Sequence, residues 1–363
     1  MSSEREAQRV AFLAQAGLAA ARREPLAADA STRRYERLYP AGAASLMLMD
    51  SPPANDGDPL GAGATPAERI ASGYTAMARL SASRIDAFAA AAGFLVSRGL
   101  SAPKVLAMDA AQGFALLEDL GDGLFARLIE AGEPEEPLYL TAVEALAQLH
   151  SQAPPRELVA EGARWPLLTY DSLALKTGAD LFVDWLPQLQ PSVALDDQAI
   201  AEWDALWRPI RERSERGASA FAHRDYHAEN LLWLPDRSGV ARVGMIDFQD
   251  CVLAHPSWDL HSLLQDARRD VSPALEAAAL AHYFALRPEV DRDAFMEDYT
   301  ALAALNEARI IGIFARLIVR DGKPRYRAFL PRMWRHLETN LAHPALAGLR
   351  AWFETHVPKE ARS

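Results

Sequence analysis

The segment that decides the fold is His223-Arg-Asp-Tyr-His-Ala-Glu-Asn230, with Met245-Ile-Asp-Phe-Gln-Asp250 following it along the chain. Its carboxylate, Asp225, stands five residues before Asn230 and 22 residues before Asp247. Two short apolar runs lie between Asn230 and Asp247, separated by Pro, Asp and Gly, and therefore predict a β-hairpin. Such a hairpin would return Asp247 to the side of Asn230.

The three polar side chains suit phosphoryl transfer. A carboxylate and an amide oxygen that converge form a hard oxygen site for Mg²⁺, which takes its remaining ligands from water and nucleotide phosphates. A second carboxylate, Asp225, would then lie within reach of a substrate hydroxyl. Phosphoryl transfer needs these parts, namely a metal that neutralises phosphate charge and a base that orients the nucleophile.

Two other interpretations of this segment stay open. The polar residues could simply be hydrogen-bonded in a loop. Alternatively, His223, Asp225, His227 and Asp247 could bind a transition metal for hydrolysis, since histidine and carboxylate are good ligands for such ions. The alternating spacing of the first three on an extended loop would direct their side chains poorly toward one ion.

Composition sets limits on the function. The chain has 363 residues, half of them apolar and 24% charged, which predicts a globular protein of two domains or two lobes. A net charge of -11 disfavours binding to nucleic acid or to an anionic membrane surface. Cys251 is the only cysteine, so no disulfide framework is expected. Without a signal-like start or a long apolar run, we expect a cytoplasmic protein with no membrane span.

Apolar periodicity divides the chain into two parts. Up to residue 118 it predicts strands near 29–38, 45–50, 101–109 and 113–118, helices over 4–23 and 67–97, and a loop at 51–66. From about residue 124 onward the pattern is mostly helical. The sequence therefore predicts an α+β fold with a small strand-rich N-lobe (1–118) and a large helical C-lobe (119–363), with a ligand cleft between them.

The motif H-x-D-x-x-x-x-N followed by hydrophobic-D-F resembles the catalytic segments of the protein-kinase-like fold. The flanking residues narrow the resemblance to the aminoglycoside phosphotransferase and choline kinase branch, as does Leu146-Ala-Gln-Leu-His150. Within that branch the chain is most similar to the bacterial anomeric N-acetylmuramate/N-acetylglucosamine kinases of cell-wall recycling. The segments that carry this closer similarity are 29–35, 48–53, 116–121, 259–268 and 312–323.

The resemblance implies a role for each motif residue. Asp225 would be the catalytic base, and Asn230 and Asp247 would bind Mg²⁺. His223 would brace the catalytic loop, and Asp259 would support it from the start of a helix.

The resemblance also implies a nucleotide hinge at Leu117, Glu118 and Leu120. There, backbone groups rather than side chains would hydrogen-bond the purine. The nucleotide could be ATP or GTP.

One departure from the kinase pattern concerns the phosphates. Kinases hold them with a lysine on the third strand, but the first 100 residues contain no lysine and no Gly-rich phosphate loop. We expect Ser31 or Thr32, together with Arg33 or Arg34, to replace both. Because neighbouring residues of a strand point to opposite faces, only one of the two arginines can face the cleft.

The sequence gives weaker indications of which residues bind the acceptor sugar. His227 and Glu229 could contact the sugar or could be packed loop residues. Arg309 and Arg316, seven apart on a predicted helix, could recognise an anionic or polar substituent such as a lactyl carboxylate, or could form a solvated face. Residues 61–63 could belong to a mobile linker or to a lid.

The predicted function is transfer of the γ-phosphoryl group of ATP or GTP to the anomeric hydroxyl of N-acetylmuramate or N-acetylglucosamine. The expected partners are therefore a nucleotide and an amino sugar, and we expect a monomer. An aminoglycoside antibiotic is the alternative acceptor. Because the lysine is missing, a non-catalytic nucleotide-binding scaffold is a further alternative.

Overall fold

The computed structural model describes residues 3–26, 33–53 and 59–362. The strands are β1 (Arg22–Pro25), β2 (Arg34–Tyr39), β3 (Leu46–Asp50), β4 (Val105–Asp109), β5 (Phe114–Glu118), β6 (Glu157–Ala160), β7 (Ala163–Pro166), β8 (Ala220–Ala222), β9 (Leu231–Trp233), β10 (Val243–Met245) and β11 (Val252–Ala254).

The helices are α1 (Ser3–Gln15), α2 (Pro66–Ser72), α3 (Tyr74–Met77), α4 (Ile85–Ser97), α5 (Phe125–Glu130), α6 (Glu135–His150), α7 (Ser172–Ala179), α8 (Leu181–Leu189), α9 (Asp197–Arg216), α10 (Ser257–Leu264), α11 (Pro273–Leu286), α12 (Arg292–Val319), α13 (Leu330–Leu341) and α14 (Ala347–His356). In the part of the chain that is described, no helix combines the length and apolarity needed to cross a membrane.

The first five strands form one antiparallel sheet in the order β1-β2-β3-β5-β4. Alternate residues of a strand point to opposite faces, so β3 and β5 contribute to two cores. Leu48 and Leu116 pack with Phe12 of α1, whereas Met49 and Leu117 belong to the core that contains α4. The sheet therefore lies between α1 and the rest of the molecule, as a small layer with both faces covered.

The first helix is shorter than predicted. It ends at Gln15 rather than near residue 23, because Gly17 takes a left-handed conformation with φ of +75°. The N–H of Leu18 then donates to the carbonyl of Leu13 at 2.8 Å and closes the helix end. This turn frees residues 22–25 to form β1, an edge strand that the sequence did not predict.

The helix predicted over 67–97 is broken into three. Thr65 caps α2, and Gly73, with φ of +99°, separates α2 from α3. Residues 78–84 then cross to α4 without regular structure. The described parts of the predicted loop at 51–66 contain no helix or strand before Pro66.

The crossing segment fastens the sheet region to the helical region. The carbonyl of Arg79 accepts a hydrogen bond from Arg224 Nη1 at 3.0 Å. Asp250 Oδ1 accepts from the backbone N–H and the hydroxyl of Ser81, at 2.6 and 2.9 Å. The buried guanidinium of Arg69 also pairs with Asp171. We call residues 79–81 the tether, because they reach both motif segments directly.

The helical region is built around α12, the longest helix of the described chain. Its Gly312 lies so close to α8 that an added Cβ would be 2.3 Å from the backbone of Leu181. Phe182 stacks on Trp203 at 5.1 Å and joins a cluster of buried aromatic rings. The hairpin of β6 and β7 interrupts the helices and was not predicted.

Candidate active site

The catalytic loop runs from β8 to β9 and is held in an unfavourable backbone conformation. Arg224 has φ of +77°, which L-residues seldom adopt. Asp259, at the start of α10, accepts hydrogen bonds from the N–H groups of His223 and Arg224 at 2.6 and 3.0 Å. The ring of His223 is buried against Tyr226 and Phe248. Hydrogen bonding and packing therefore fix the loop immediately before Asp225.

Asp225 is partly exposed and lies among positive charges. Burial by itself would raise the pKa of its carboxyl, but the guanidinium of Arg309, with a contribution from Arg224, holds that pKa below its ordinary value. The carboxylate is therefore ionised at neutral pH and can accept a proton or orient a hydroxyl.

The predicted hairpin is confirmed and brings Asn230 and Asp247 together. Strands β9 and β10 pair with Leu231 opposite Met245, and the N–H of Ile246 donates to the carbonyl of Asn230 at 3.1 Å. Asn230 Nδ2 donates to the backbone carbonyl of Asp225 at 2.9 Å. Since this bond fixes the amide nitrogen, Oδ1 is the end of the amide that remains for a cation.

Asp247 has φ of +65° and a side chain that is 46% exposed. Its Oδ1 accepts from Arg33 at 2.9 Å and from Gln249 at 3.1 Å. Burial raises the pKa of this carboxyl, and Arg33 partly opposes the shift. A carboxylate beside an amide oxygen fits Mg²⁺, which prefers oxygen ligands.

The alternative transition-metal site is not formed. Within the described residues, no three His, Cys, Asp or Glu side chains converge closely enough to hold a metal ion. His223 is instead buried among aromatic rings.

The two candidate phosphate arginines are separated by the structure. Arg33 precedes β2, is only 11% exposed and reaches Asp247, more than 200 positions along the chain. Arg34 is the first residue of β2 and its side chain is exposed. Ser31 and Thr32 lie outside the described residues, so their expected role stays a prediction.

The predicted hinge follows β5. Leu117 is buried in the core, and the N–H of Glu118 already donates to the carbonyl of Lys104 at 2.9 Å. The carboxylate of Glu118 pairs with Arg237 at 2.7 Å. In the described chain the N–H of Leu120 has no protein partner. Leu120 therefore offers a free backbone donor at this position, whereas Glu118 does not.

A cavity of about 180 Å³ opens beside Asp225 and contains the predicted Arg309. Arg309 Nη1 donates to Asn306 at 3.1 Å, and its methylene groups pack on Gly178, where an added Cβ would lie 2.9 Å from Cδ. A larger, open depression of about 840 Å³ elsewhere on the surface is lined by none of the motif residues. The smaller cavity is therefore the one that adjoins the carboxylate of Asp225.

Of the other predicted acceptor residues, His227 lines this cavity, whereas Glu229 and Arg316 do not. His227 lines it, with Nε2 at 3.1 Å from Arg268 Nη1. Glu229 is half exposed and pairs with Arg268 at 2.9 Å. Arg316 lies apart from the cavity lining, with its guanidinium 5.4 Å from the ring of Tyr74.

Sequence reasoning assigned no function to three lining residues, Asp266, Arg268 and Asn306. The first two fall in the segment 259–268 that carried the family resemblance, which was the available signal. Asn306 lies one turn before Arg309 on α12, where helical spacing could have indicated a shared face.

Comparison with known proteins shows which family the chain belongs to. A family model described as the phosphotransferase enzyme family matches residues 22–305. The chain belongs to this family. A curated N-acetylmuramate/N-acetylglucosamine kinase of Caulobacter vibrioides is 58% identical, with 100% of this chain and 99% of the relative covered. A protein of the same description from Pseudomonas aeruginosa is 30% identical over 90% of this chain and 86% of its own length.

Two solved structures have the same fold. A choline/ethanolamine kinase family protein from Mesorhizobium loti superposes with a TM-score of 0.55 at 17% identity, covering 97% of this chain and 99% of the other. An ADP-bound aminoglycoside phosphotransferase gives a TM-score of 0.53 at 16% identity, covering 93% and 98%. The predicted α+β, protein-kinase-like fold and the predicted family are therefore confirmed.

Proposed function

We propose that this phosphotransferase moves the γ-phosphoryl group of ATP to the anomeric hydroxyl of N-acetylglucosamine or N-acetylmuramate. The observation that carries the proposal is the position of Asp225. Its ionised carboxylate lies next to the segment that brings Asn230 and Asp247 together, and it also lines a small, partly open cavity with both charged and apolar walls. The 58% identical relative of that description supports the choice of sugar.

Asn230 and Asp247 would hold Mg²⁺ through Oδ1 and a carboxylate oxygen. When bound, the ion would supply positive charge to the β and γ phosphates of the nucleotide. Arg33 would supply a second positive charge and would exchange its bond to Asp247 for one to phosphate. An arginine suits this task because its planar fork matches phosphate oxygens and never loses its charge.

Asp225 would accept or orient the proton of the attacking hydroxyl. An anomeric hydroxyl is more acidic than other sugar hydroxyls, so a carboxylate with a lowered pKa suffices. Leu120 would donate its backbone N–H to the purine. ATP or GTP as the donor, a monomeric state and a cytoplasmic location stay predictions.

Charge in the cavity favours the sugar over an aminoglycoside. Three arginines, Arg224, Arg268 and Arg309, line it with only two carboxylates, Asp225 and Asp266. A polycationic antibiotic would meet repulsion there, whereas a neutral or anionic sugar would not.

Phosphorus NMR of a reaction with N-acetylglucosamine, ATP and Mg²⁺ tests the proposal. We expect a glycosyl phosphate signal, and a larger one with either acetamido sugar than with kanamycin. Transfer to kanamycin alone, or no transfer to any sugar, would exclude the proposed function.

A further inference from the structure

Asp266 has an unused carboxylate oxygen beside the acceptor cavity. The residue is 2% exposed and lines the same cavity as Asp225. Its Oδ1 accepts from the N–H of Arg268 at 2.8 Å, which closes a tight turn and orients the carboxylate. Within the described chain its Oδ2 is buried without a hydrogen-bond partner. A buried polar atom in this state is costly unless a ligand satisfies it.

The charge state of Asp266 makes it an acceptor. Burial raises the pKa of its carboxyl to about 6, against the opposing effects of Arg268 and Arg269. At neutral pH most molecules therefore carry a carboxylate, which can only accept hydrogen bonds. The group that satisfies Oδ2 must be an N–H or an O–H.

His227 supplies the complementary atom. Its Nε2 faces Arg268 Nη1 at 3.1 Å, and an arginine can only donate, so Nε2 accepts and the ring proton resides on Nδ1. Among the described residues Nδ1 is buried and has no partner. His227 lines the cavity and therefore carries one N–H that no described protein group accepts.

Two residues that line the same small cavity thus carry one acceptor and one donor without a partner in the described chain, which match the N–H and the carbonyl of a secondary amide. We infer that Asp266 and His227 bind the acetamido group of the acceptor, with Asp266 Oδ2 accepting its N–H and His227 Nδ1 donating to its carbonyl. This inference rests on the proposed function and goes beyond it by assigning Asp266 as the residue that selects acetamido sugars. The acetamido group is bonded to the carbon next to the anomeric carbon, which agrees with Asp225, His227 and Asp266 all lining one small cavity.

The variant Asp266→Asn tests the acceptor. An asparagine Oδ1 can still accept from the N–H of Arg268 and keep the turn, while Nδ2 replaces the free acceptor with a donor. We expect the KM for N-acetylglucosamine to rise about 10- to 100-fold, because a buried hydrogen bond becomes a clash of two donors. The KM for ATP and the KM for glucose, which has no acetamido group, should change less than threefold.

Asp270→Asn is the matched control, since Asp270 lies four residues later, is exposed and pairs with Arg332 at 2.8 Å outside the cavity. It should leave all three constants unchanged. If Asp266→Asn does not fold, the wild-type enzyme still decides the matter, because it must use N-acetylglucosamine at least tenfold more efficiently than glucose.

The outcomes separate the two proposals. An equal rise in KM for both sugars would reassign Asp266 to a shared hydroxyl and overturn the inference, as would unchanged kinetics or equal use of both sugars by the wild type. Absence of any sugar phosphate from the wild-type enzyme would instead be a failure of the proposed function itself.

Discussion

The two sides of Asp225 differ in how far the protein satisfies its own polar groups. On the phosphate side, Asp247 already accepts from Arg33 and Gln249, and Asn230 already donates to Asp225. On the acceptor side, Asp266 Oδ2 and His227 Nδ1 have no partner in the described chain.

This difference indicates how each side meets its ligand. Under the proposed function, the phosphate side would exchange one set of charged contacts for another, because Arg33 and Asp247 pair with each other in the structure and would each turn to the nucleotide or its cation. The acceptor side would gain hydrogen bonds, because Asp266 Oδ2 and His227 Nδ1 have no partner in the described chain. Ligand selectivity should therefore come mainly from the acceptor side, and rate mainly from the phosphate side and Asp225.

The largest effect should come from Asp225, which both sides share. We expect Asp225→Asn to lower kcat about 10²- to 10⁴-fold, because a general base contributes on that scale. Nucleotide binding should remain, since the variant keeps the backbone carbonyl that holds Asn230. Steady-state kinetics with a parallel nucleotide titration checks both. Near-normal kcat would remove Asp225 from the catalytic role.

The second-largest effect is expected for Asp247→Ala, which tests whether nucleotide binding on the phosphate side depends on a cation. Asp247→Ala should abolish the Mg²⁺-dependent part of nucleotide binding, which calorimetric titration with and without Mg²⁺ measures. Asp236→Asn, in the exposed turn of the same hairpin, serves as the control and should bind normally. A Mg²⁺ dependence that survives in Asp247→Ala would contradict the assigned ligand.

The proposed exchange, in which Arg33 gives up its bond to Asp247 for one to phosphate, can be tested by removing the Arg33 side chain. We expect Arg33→Ala to raise the KM for ATP about 100-fold, because it removes charge-assisted bonds to phosphate. Arg34→Ala, whose side chain is exposed, should change it less than threefold. The reverse ranking would show that the other arginine faces the nucleotide.

The smallest expected effect is on folding stability and comes from the buried His150. It sets the pH range in which variants on the phosphate side and the acceptor side can be compared. Burial lowers the pKa of His150 from 6.5 to about 3, so the folded protein holds it neutral while the unfolded chain takes up a proton below pH 6.5. Its contribution to stability is complete above that value and is lost as the pH falls toward 3. Between pH 7 and pH 5 the loss is about 2 kcal/mol.

His150→Gln removes this titration. The difference in unfolding free energy between wild type and variant, measured with urea, should therefore shrink by about 2 kcal/mol from pH 7 to pH 5. A difference independent of pH would mean that the histidine is charged in the folded protein. Activity measured between pH 7 and 8 avoids this loss.

Much of the fold and the phosphate side could be predicted because both depend on local patterns. The hairpin between Asn230 and Asp247 follows from two short apolar runs with a turn between them, and its register then fixes which side chains meet. The end of α1 and the break at Gly73 were missed, because a single glycine can be tolerated in a helix or can end it.

The acceptor side could not be predicted in the same way. Asp266 comes from the segment after α10, His227 from the catalytic loop and Arg309 from α12, so only tertiary packing brings them to one cavity. The choice between Arg33 and Arg34 was open for a related reason. Alternation showed that one must face the cleft, but the facing residue depends on where β2 begins.

The tether at residues 79–81 has a consequence for turnover. A wide hinge rotation of the sheet would have to break the bonds from Ser81 to Asp250 and from Arg224 to the carbonyl of Arg79. Those bonds reach the same loops that hold Asp225 and Asp247. Products should therefore leave by small local displacements at the cleft mouth, with the interlobe angle nearly constant through the cycle.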